Sequence, residues 1–184
     1  EGRRLTMPTM LPTLAAVGLA LAATTPSASP PPSKPTFKVF LLAGQSNMEG
    51  QAVVAMDHPE HYNGGRGNLV NVMKDPKLAK RMSHLRESKR DADGDWTVRD
   101  DAFCWYRTDR GELKAGPLSI GFAGYPGQDH FGPELQIGHL LADAFVEPVL
   151  LIKTAWGGKN LHVDFRPPSA GGDVGPYYTR MLKE

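Results

Sequence analysis

The chain has 184 residues, enough for one domain with a real hydrophobic core. Its 21 Lys and Arg residues nearly balance its 20 Asp and Glu residues, so the net charge is close to zero. That balance argues against a nucleic-acid partner, which would require a basic face. Cys104 is the only cysteine, which excludes an intrachain disulfide bond. Because Cys104 lies between Phe103 and Trp105, it is expected to be a small buried apolar residue.

The amino-terminal residues are not expected to belong to the folded domain. Residues 1–26 resemble a secretory signal, in which a basic start precedes an apolar run, Leu11 to Ala23, that is too short to span a bilayer. Residues 27–35 are rich in proline and predict a linker. We therefore expect a secreted or periplasmic protein with no stable membrane insertion after cleavage. An uncleaved membrane anchor is the alternative.

The domain itself begins with an apolar strand that stops at a glycine. Val39 to Ala43 is a short apolar run, which is typical of a buried parallel strand, and Gly44 follows it. Ser46 comes next, at the carboxyl end of the strand, where α/β sheets bind their ligands. The N–H groups of a following helix would point into the same space. Ser46 is therefore a candidate nucleophile, unless it only caps that helix.

The middle of the chain, from about residue 52 to 129, shows no clean periodicity and is interpreted as a β-rich insertion beside the sheet. Residues 75–89 are charged and are predicted to be helical, with one apolar packing face. Trp96–Arg99 and Phe103–Arg107 are predicted to be short strands. Such an insertion would shape a substrate cleft without identifying the substrate.

One acidic stretch of the insertion has part of the pattern of a calcium loop. Asp91, Asp93 and Asp95 have the required spacing, but Trp96 stands where the loop needs glycine and Ala102 where it needs glutamate. Asp-Gly is also a strong turn signal. A turn is therefore predicted here, and no metal site is expected.

A helix and a second apolar strand follow. Pro133 and Glu134 suit the first turn of a helix. The helix has a predicted apolar stripe made of Ile137, Leu140, Leu141, Ala144 and Phe145. Val149–Ala155 is predicted to be a buried strand, and Gly157 and Gly158 mark a turn after it. The order strand, helix, strand indicates a βαβ unit and a parallel sheet.

Three segments resemble blocks of the SGNH hydrolases, in the sialate O-acetylesterase-like branch that includes the acetylxylan esterases. Gly44–Met48 reads GQSNM and resembles the first block of that family. Gly132–Glu134 resembles its GPE element, and Lys153–Leu161 resembles its second block, although Lys159-Asn160 replaces the usual Thr-Ser. The resemblance covers residues 36–184. It implies an α/β fold with three layers, α/β/α, around a parallel sheet that is incomplete in this chain.

The same resemblance implies roles for individual residues. Ser46 would be the nucleophile of a serine esterase that removes acetyl groups from carbohydrates. The backbone N–H groups of Ser46 and Gly158 would hold the oxyanion, with Gly157 as the alternative to Gly158. Glycine suits this role because it allows close backbone approach and an unusual φ. The resemblance implies no cofactor and no metal, and the expected partner is an acetylated carbohydrate.

The base that would activate Ser46 is not identified in the sequence. The family places it in an Asp-x-x-His element near the carboxyl end, and a Gln-Gly-Glu block supplies another oxyanion donor. None of the six histidines follows an aspartate at that spacing, and Gln-Gly-Glu does not occur. His130 and His162 are conceivable substitutes that the spacing does not assign. We expect a fragment of a longer reading frame; the alternative is a secreted carbohydrate-binding protein without turnover.

Overall fold

A computed structural model describes the residues 36–56, 58–61, 63–87, 95–126 and 130–184. The expected signal segment, the linker and the predicted turn around Asp91 and Asp93 lie outside these ranges. Within them, no helix is both long and apolar enough to cross a bilayer.

The described residues form six strands and five α-helices. In chain order the strands are β1 (Lys38–Gly44), β2 (Ala52–Val53), β3 (Ala102–Arg107), β4 (Leu113–Pro117), β5 (His130–Phe131) and β6 (Val149–Ala155). The helices are α1 (Ser46–Glu49), α2 (Leu69–Val72), α3 (Pro76–Met82), α4 (Pro133–Ala144) and α5 (Pro176–Met181). The predicted strands at β1 and β6 and the predicted helix at α4 are confirmed.

The main sheet has four strands in the order β1-β6-β3-β4. β6 runs parallel to both β1 and β3, whereas β4 pairs antiparallel with β3. β2 and β5 form a separate two-stranded antiparallel sheet. This mixed sheet with helices confirms the predicted α/β class.

Part of the segment interpreted as an insertion belongs to the main sheet. β3 and β4 were expected in an excursion beside the sheet, yet β3 pairs with β6 along its length. Its alternate residues Ala102, Cys104 and Tyr106 are buried, because one face of β3 continues the face of β6. By contrast, the predicted strand Trp96–Arg99 is reduced to a single bridge between Arg86 and Trp96.

One face of the sheet is covered by α4. Leu42, Cys104 and Leu151 form the core of this face, and burial raises the pKa of the Cys104 thiol, as expected of a buried apolar cysteine. Gly138 lies at the closest approach, where a Cβ atom would stand 2.1 Å from a methyl carbon of Leu118. A glycine at this position therefore lets the helix pack directly on the sheet.

The buried side of α4 differs from the predicted stripe. Leu140 and Phe145 are exposed, while Ile137 and Leu141 are only partly buried. The buried residues are Glu134, Leu135, Gly138, His139 and Ala142. The prediction missed these residues because the buried face contains a glycine, Gly138, and two polar residues, Glu134 and His139. Hydrophobicity alone does not predict that such residues are buried.

The opposite face of the sheet is more open. Val39 and Leu41 of β1 are 56% and 53% exposed. Glu184 covers another part of this face, where its carboxylate accepts hydrogen bonds from Trp105 Nε1 (3.3 Å) and Arg107 Nε (3.1 Å). Among the described residues, the second helical layer that the resemblance implies does not cover the β1 part of this face.

His139 makes the stability of the domain sensitive to pH. The side chain is 2% exposed, and neither ring nitrogen has a hydrogen-bond partner among the described residues. Burial lowers its pKa from 6.5 to about 4, helped by His84 and Arg99 and opposed by Asp143 and Asp101. The unfolded chain therefore binds one proton more than the folded chain between these pH values. We expect unfolding free energy to fall by about 3 kcal/mol as the pH drops from 7 to 4.

The substitution His139→Leu should remove much of this pH dependence and stabilise the domain near pH 5, because it replaces an unpaired buried polar group with an apolar one of similar size. Urea unfolding between pH 4 and 8 measures the effect. His162→Leu is the control, because His162 is exposed. An unchanged pH profile in His139→Leu would contradict the explanation.

Candidate active site

The carboxyl ends of β1 and β6 lie side by side. Gly44 pairs with Ala155 at the last position of the parallel register, and Trp156 N donates to Gly44 O at 3.3 Å. The chain then turns from Gly44 into α1 so sharply that a Cβ atom on Gly44 would stand 2.8 Å from Met48 Cβ. The loops that carry the predicted nucleophile and the predicted oxyanion donor therefore leave the sheet at the same end, the carboxyl end of β1 and β6.

Ser46 is the first residue of α1 and is partly buried. The helix turn behind it is closed by Met48 N and Glu49 N, which both donate to Gln45 O at 2.8 Å. The N–H groups of Ser46 and Asn47 belong to the first turn, so they have no acceptor within the helix. The Ser46 hydroxyl makes no hydrogen bond within the described part of the chain. Both the hydroxyl and the first-turn N–H groups are thus available to a substrate.

The turn after β6 places two glycines next to this helix. Gly158 has a φ of +71°, a conformation that favours glycine, and a Cβ atom there would meet nothing within 4 Å. Gly157 is enclosed, because a Cβ atom on it would stand 2.9 Å from Glu49 Oε2. The space on the Cβ side of Gly158 is therefore open among the described residues, whereas Gly157 packs against α1. The roles of Ser46 and Gly158 stay predictions.

Tyr106 connects these two loops to β3. Its hydroxyl lies 3.0 Å from Ala155 O and 3.3 Å from Glu49 Oε1, so it can donate to either acceptor. Burial, followed by the charge of Glu49, raises the pKa of Tyr106, which keeps the hydroxyl protonated as a donor. The last turn of α1 and the end of β6 are thus held by one buried side chain.

A buried ion pair lies beneath the same edge of the sheet. Lys153 Nζ and Glu134 Oε2 are 2.7 Å apart, and both side chains are 0% exposed. Lys153 also donates to the carbonyl oxygens of Glu49 and Phe122, each at 2.8 Å, and Glu134 Oε1 accepts from Gly132 N at 2.8 Å. One ammonium group therefore ties α1, α4 and the loop after β4 to β6.

Sequence reasoning placed Lys153 and Glu134 in family blocks but did not pair them. A signal was present, because Lys153 is the one charged residue within the otherwise apolar strand Val149–Ala155. A charge in a buried strand requires a partner of opposite sign. Glu134 is a reasonable choice because it stands in the first turn of the helix that precedes the strand.

The six histidines, all within the described ranges, lie elsewhere, and none hydrogen-bonds to Ser46. His130 stacks on Tyr125, with ring centroids 4.7 Å apart. His162 is exposed and lies beside Arg166, whose guanidinium donates to the His162 carbonyl oxygen. Neither suggested substitute is therefore positioned as a base by a contact with Ser46.

An apolar cavity adjoins α1. Its volume is about 510 Å³. Asn47, the residue after Ser46, lies in its wall with Ala52 and Phe131. The wall of the cavity therefore includes the residue that directly follows the predicted nucleophile.

The positive φ of Gly158 allows a test of its predicted role. Gly158→Ala should cost about 1 kcal/mol of stability through backbone strain. Relief of that strain should turn the N–H away from the oxyanion and lower turnover about tenfold or more. Gly111→Ala is the matched control, since Gly111 has a φ of +84° and equally open surroundings, but lies in the turn between β3 and β4. Equal turnover in the two variants would contradict the oxyanion role.

Comparison with known proteins identifies the family. The family model described as carbohydrate esterase, sialic acid-specific acetylesterase, matches residues 36–184. The chain belongs to this family. The matched residues include the GQSNM, GPE and second-block segments. The match supports ester hydrolysis as the general activity of the family.

A solved structure of a protein from Arabidopsis thaliana is also similar. It shares 14% identity, with a TM-score of 0.38, over 79% of this chain and 48% of the plant protein. The chain thus spans about half the length of that relative. A search of curated proteins found no match.

Proposed function

We propose that the protein is a carbohydrate O-acetylesterase in which Ser46 attacks the ester carbonyl. The observation that carries the proposal is that β1 and β6 end side by side, where the Ser46 hydroxyl has no hydrogen-bond partner among the described residues and the space beside Gly158 is open. The N–H groups of Ser46 and Gly158 would stabilise the charge that develops on the carbonyl oxygen. The acetyl group would pass to Ser46 as its bond to the sugar oxygen breaks, and the sugar would leave as an alcohol that carries the serine proton. Water would then hydrolyse the acyl-enzyme to acetic acid and free Ser46.

The proposal extends to substrate and location. The substrate is an acetylated carbohydrate, supported by the description of the matched family. The protein is secreted or periplasmic, supported by the signal-like residues 1–26 and the proline-rich residues 27–35. Neither a nucleic-acid partner nor stable membrane insertion is part of the proposal.

Two measurements test the proposed chemistry. Release of 4-nitrophenol from 4-nitrophenyl acetate, and of acetate from a peracetylated sugar, measures turnover. A fluorophosphonate should phosphonylate the active serine with loss of fluoride, and peptide mass spectrometry should locate the label on Ser46. A label on another serine, or turnover without any label, would contradict the assignment of Ser46.

A secreted carbohydrate-binding protein without turnover is the second candidate. The observation that favours it is that no histidine hydrogen-bonds to Ser46, so no base is in contact with the predicted nucleophile. Titration with acetylated and deacetylated sugars, alongside the turnover assay, separates the two functions. Saturable binding of sugar with no acetate release would favour the binding protein.

A further inference from the structure

The apolar cavity beside α1 is larger than an acetyl group requires. Its volume of about 510 Å³ falls in the range of about 300–1,000 Å³ that holds a small organic ligand. Among the described residues, no charged side chain lines it. Most of its wall is apolar, including Ala52, Leu69, Val72, Phe131 and Leu135.

The wall of the cavity is a fixed part of the fold. Leu69 and Leu135 are almost fully buried and belong to the second core cluster of the domain. Gly50, with a φ of +92°, brings the chain that leaves α1 into direct contact with Gly132, where a Cβ atom would stand 2.6 Å from Gly132 Cα. The cavity therefore keeps its place next to the helix that carries Ser46.

We propose that this cavity binds an apolar alkyl or aryl group attached close to the scissile ester, so that the substrate is an amphipathic ester. The inference rests on the proposed function, because it gives the substrate of Ser46 a second recognition element. Asn47, the residue after Ser46, lies in the cavity wall, so the wall begins one residue from the proposed nucleophile. An apolar group on the alcohol part agrees with the proposed acetyl ester, whereas a group on the acyl part would replace acetyl by a longer acyl chain.

Binding is measured without turnover in the Ser46→Ala protein. Isothermal titration with hexyl acetate, ethyl hexanoate and ethyl acetate compares an apolar chain on the alcohol side, on the acyl side and on neither. We expect at least one of the longer esters to bind about tenfold or more tightly than ethyl acetate, because each buried methylene adds to affinity. Equal affinity for all three esters would overturn the proposal.

Filling the cavity should remove this preference. Ala52 is exposed and small, so Ala52→Phe can fill the entrance with little effect on the core. The variant should bind the preferred long ester about tenfold more weakly and ethyl acetate equally well. Val72→Phe is the second variant if Ala52→Phe does not fold, and Val146→Phe, at a fully exposed position, is the control. Unchanged binding in both folded cavity variants would overturn the proposal.

Turnover of the unmodified protein separates this inference from the proposed function. A higher kcat/KM for hexyl acetate assigns the apolar group to the alcohol, and a higher kcat/KM for ethyl hexanoate assigns it to the acyl part. Chain-length-dependent binding that Ala52→Phe abolishes, without hydrolysis of any ester, supports the cavity site and contradicts the esterase.

Discussion

Replacing Ser46 with alanine should reduce hydrolysis of 4-nitrophenyl acetate by at least about 10³-fold, because the variant lacks the hydroxyl that is proposed to form the acyl-enzyme. The stability of the domain should change by less than about 0.5 kcal/mol, since the hydroxyl makes no hydrogen bond within the described ranges. Steady-state kinetics and urea unfolding measure the two quantities on the same preparation. Lost activity with unchanged stability is the signature of a group that acts only on the substrate.

Ser169→Ala is the control for this prediction. Ser169 is exposed and lies in the short 3₁₀ turn Pro168–Ala170. The control should retain full turnover and full stability. If Ser46→Ala retained more than about a tenth of the turnover, Ser46 would not be the nucleophile, and the observed hydrolysis would have another origin.

The features that the sequence predicted well are those whose signals are local. Val39–Ala43 and Val149–Ala155 are runs of apolar or strand-forming residues in which Lys153 is the one charge. Gly44 ends the first strand, and Gly157 and Gly158 follow closely after the second. Pro133 marks the first turn of α4 because its missing N–H costs nothing there. These local signals suffice to predict that Ser46 follows the end of one strand and that Gly158 follows the end of another.

The features that sequence reasoning missed depend on contacts between distant residues. β3 joins β6 through a register that no local pattern specifies, so the predicted strand Phe103–Arg107 was placed beside the sheet. The buried side of α4 includes Gly138 and His139 because close approach to the sheet decided it, and hydrophobicity alone pointed to Leu140. Burial depends on the partner surface as well as on the helix.

The ion pair between Lys153 and Glu134 is the contact with the largest expected effect on stability. Lys153→Met should lower the free energy of unfolding by about 3–5 kcal/mol, because it leaves the Glu134 carboxylate buried without its counter-charge. Phe122 O also loses its bond from Lys153, and Glu49 O keeps only its bond from Gly124 N. Urea unfolding measures the loss, and Lys77→Met, at an exposed position of α3, is the matched control.

A second substitution separates the charge from the other contacts of Lys153. In Lys153→Met with Glu134→Gln, the amide removes the unpaired charge and its oxygen can still accept from Gly132 N. Part of the lost stability should return, whereas the hydrogen bonds from Lys153 to Glu49 and Phe122 stay absent. Lys153 holds Glu49, the last residue of the helix that begins at Ser46, and the second substitution does not restore this contact. We therefore expect turnover in the double variant to be lower than in the unmodified protein, even where stability recovers. Full stability in Lys153→Met alone would show that the buried charge is not what holds this edge of the sheet together.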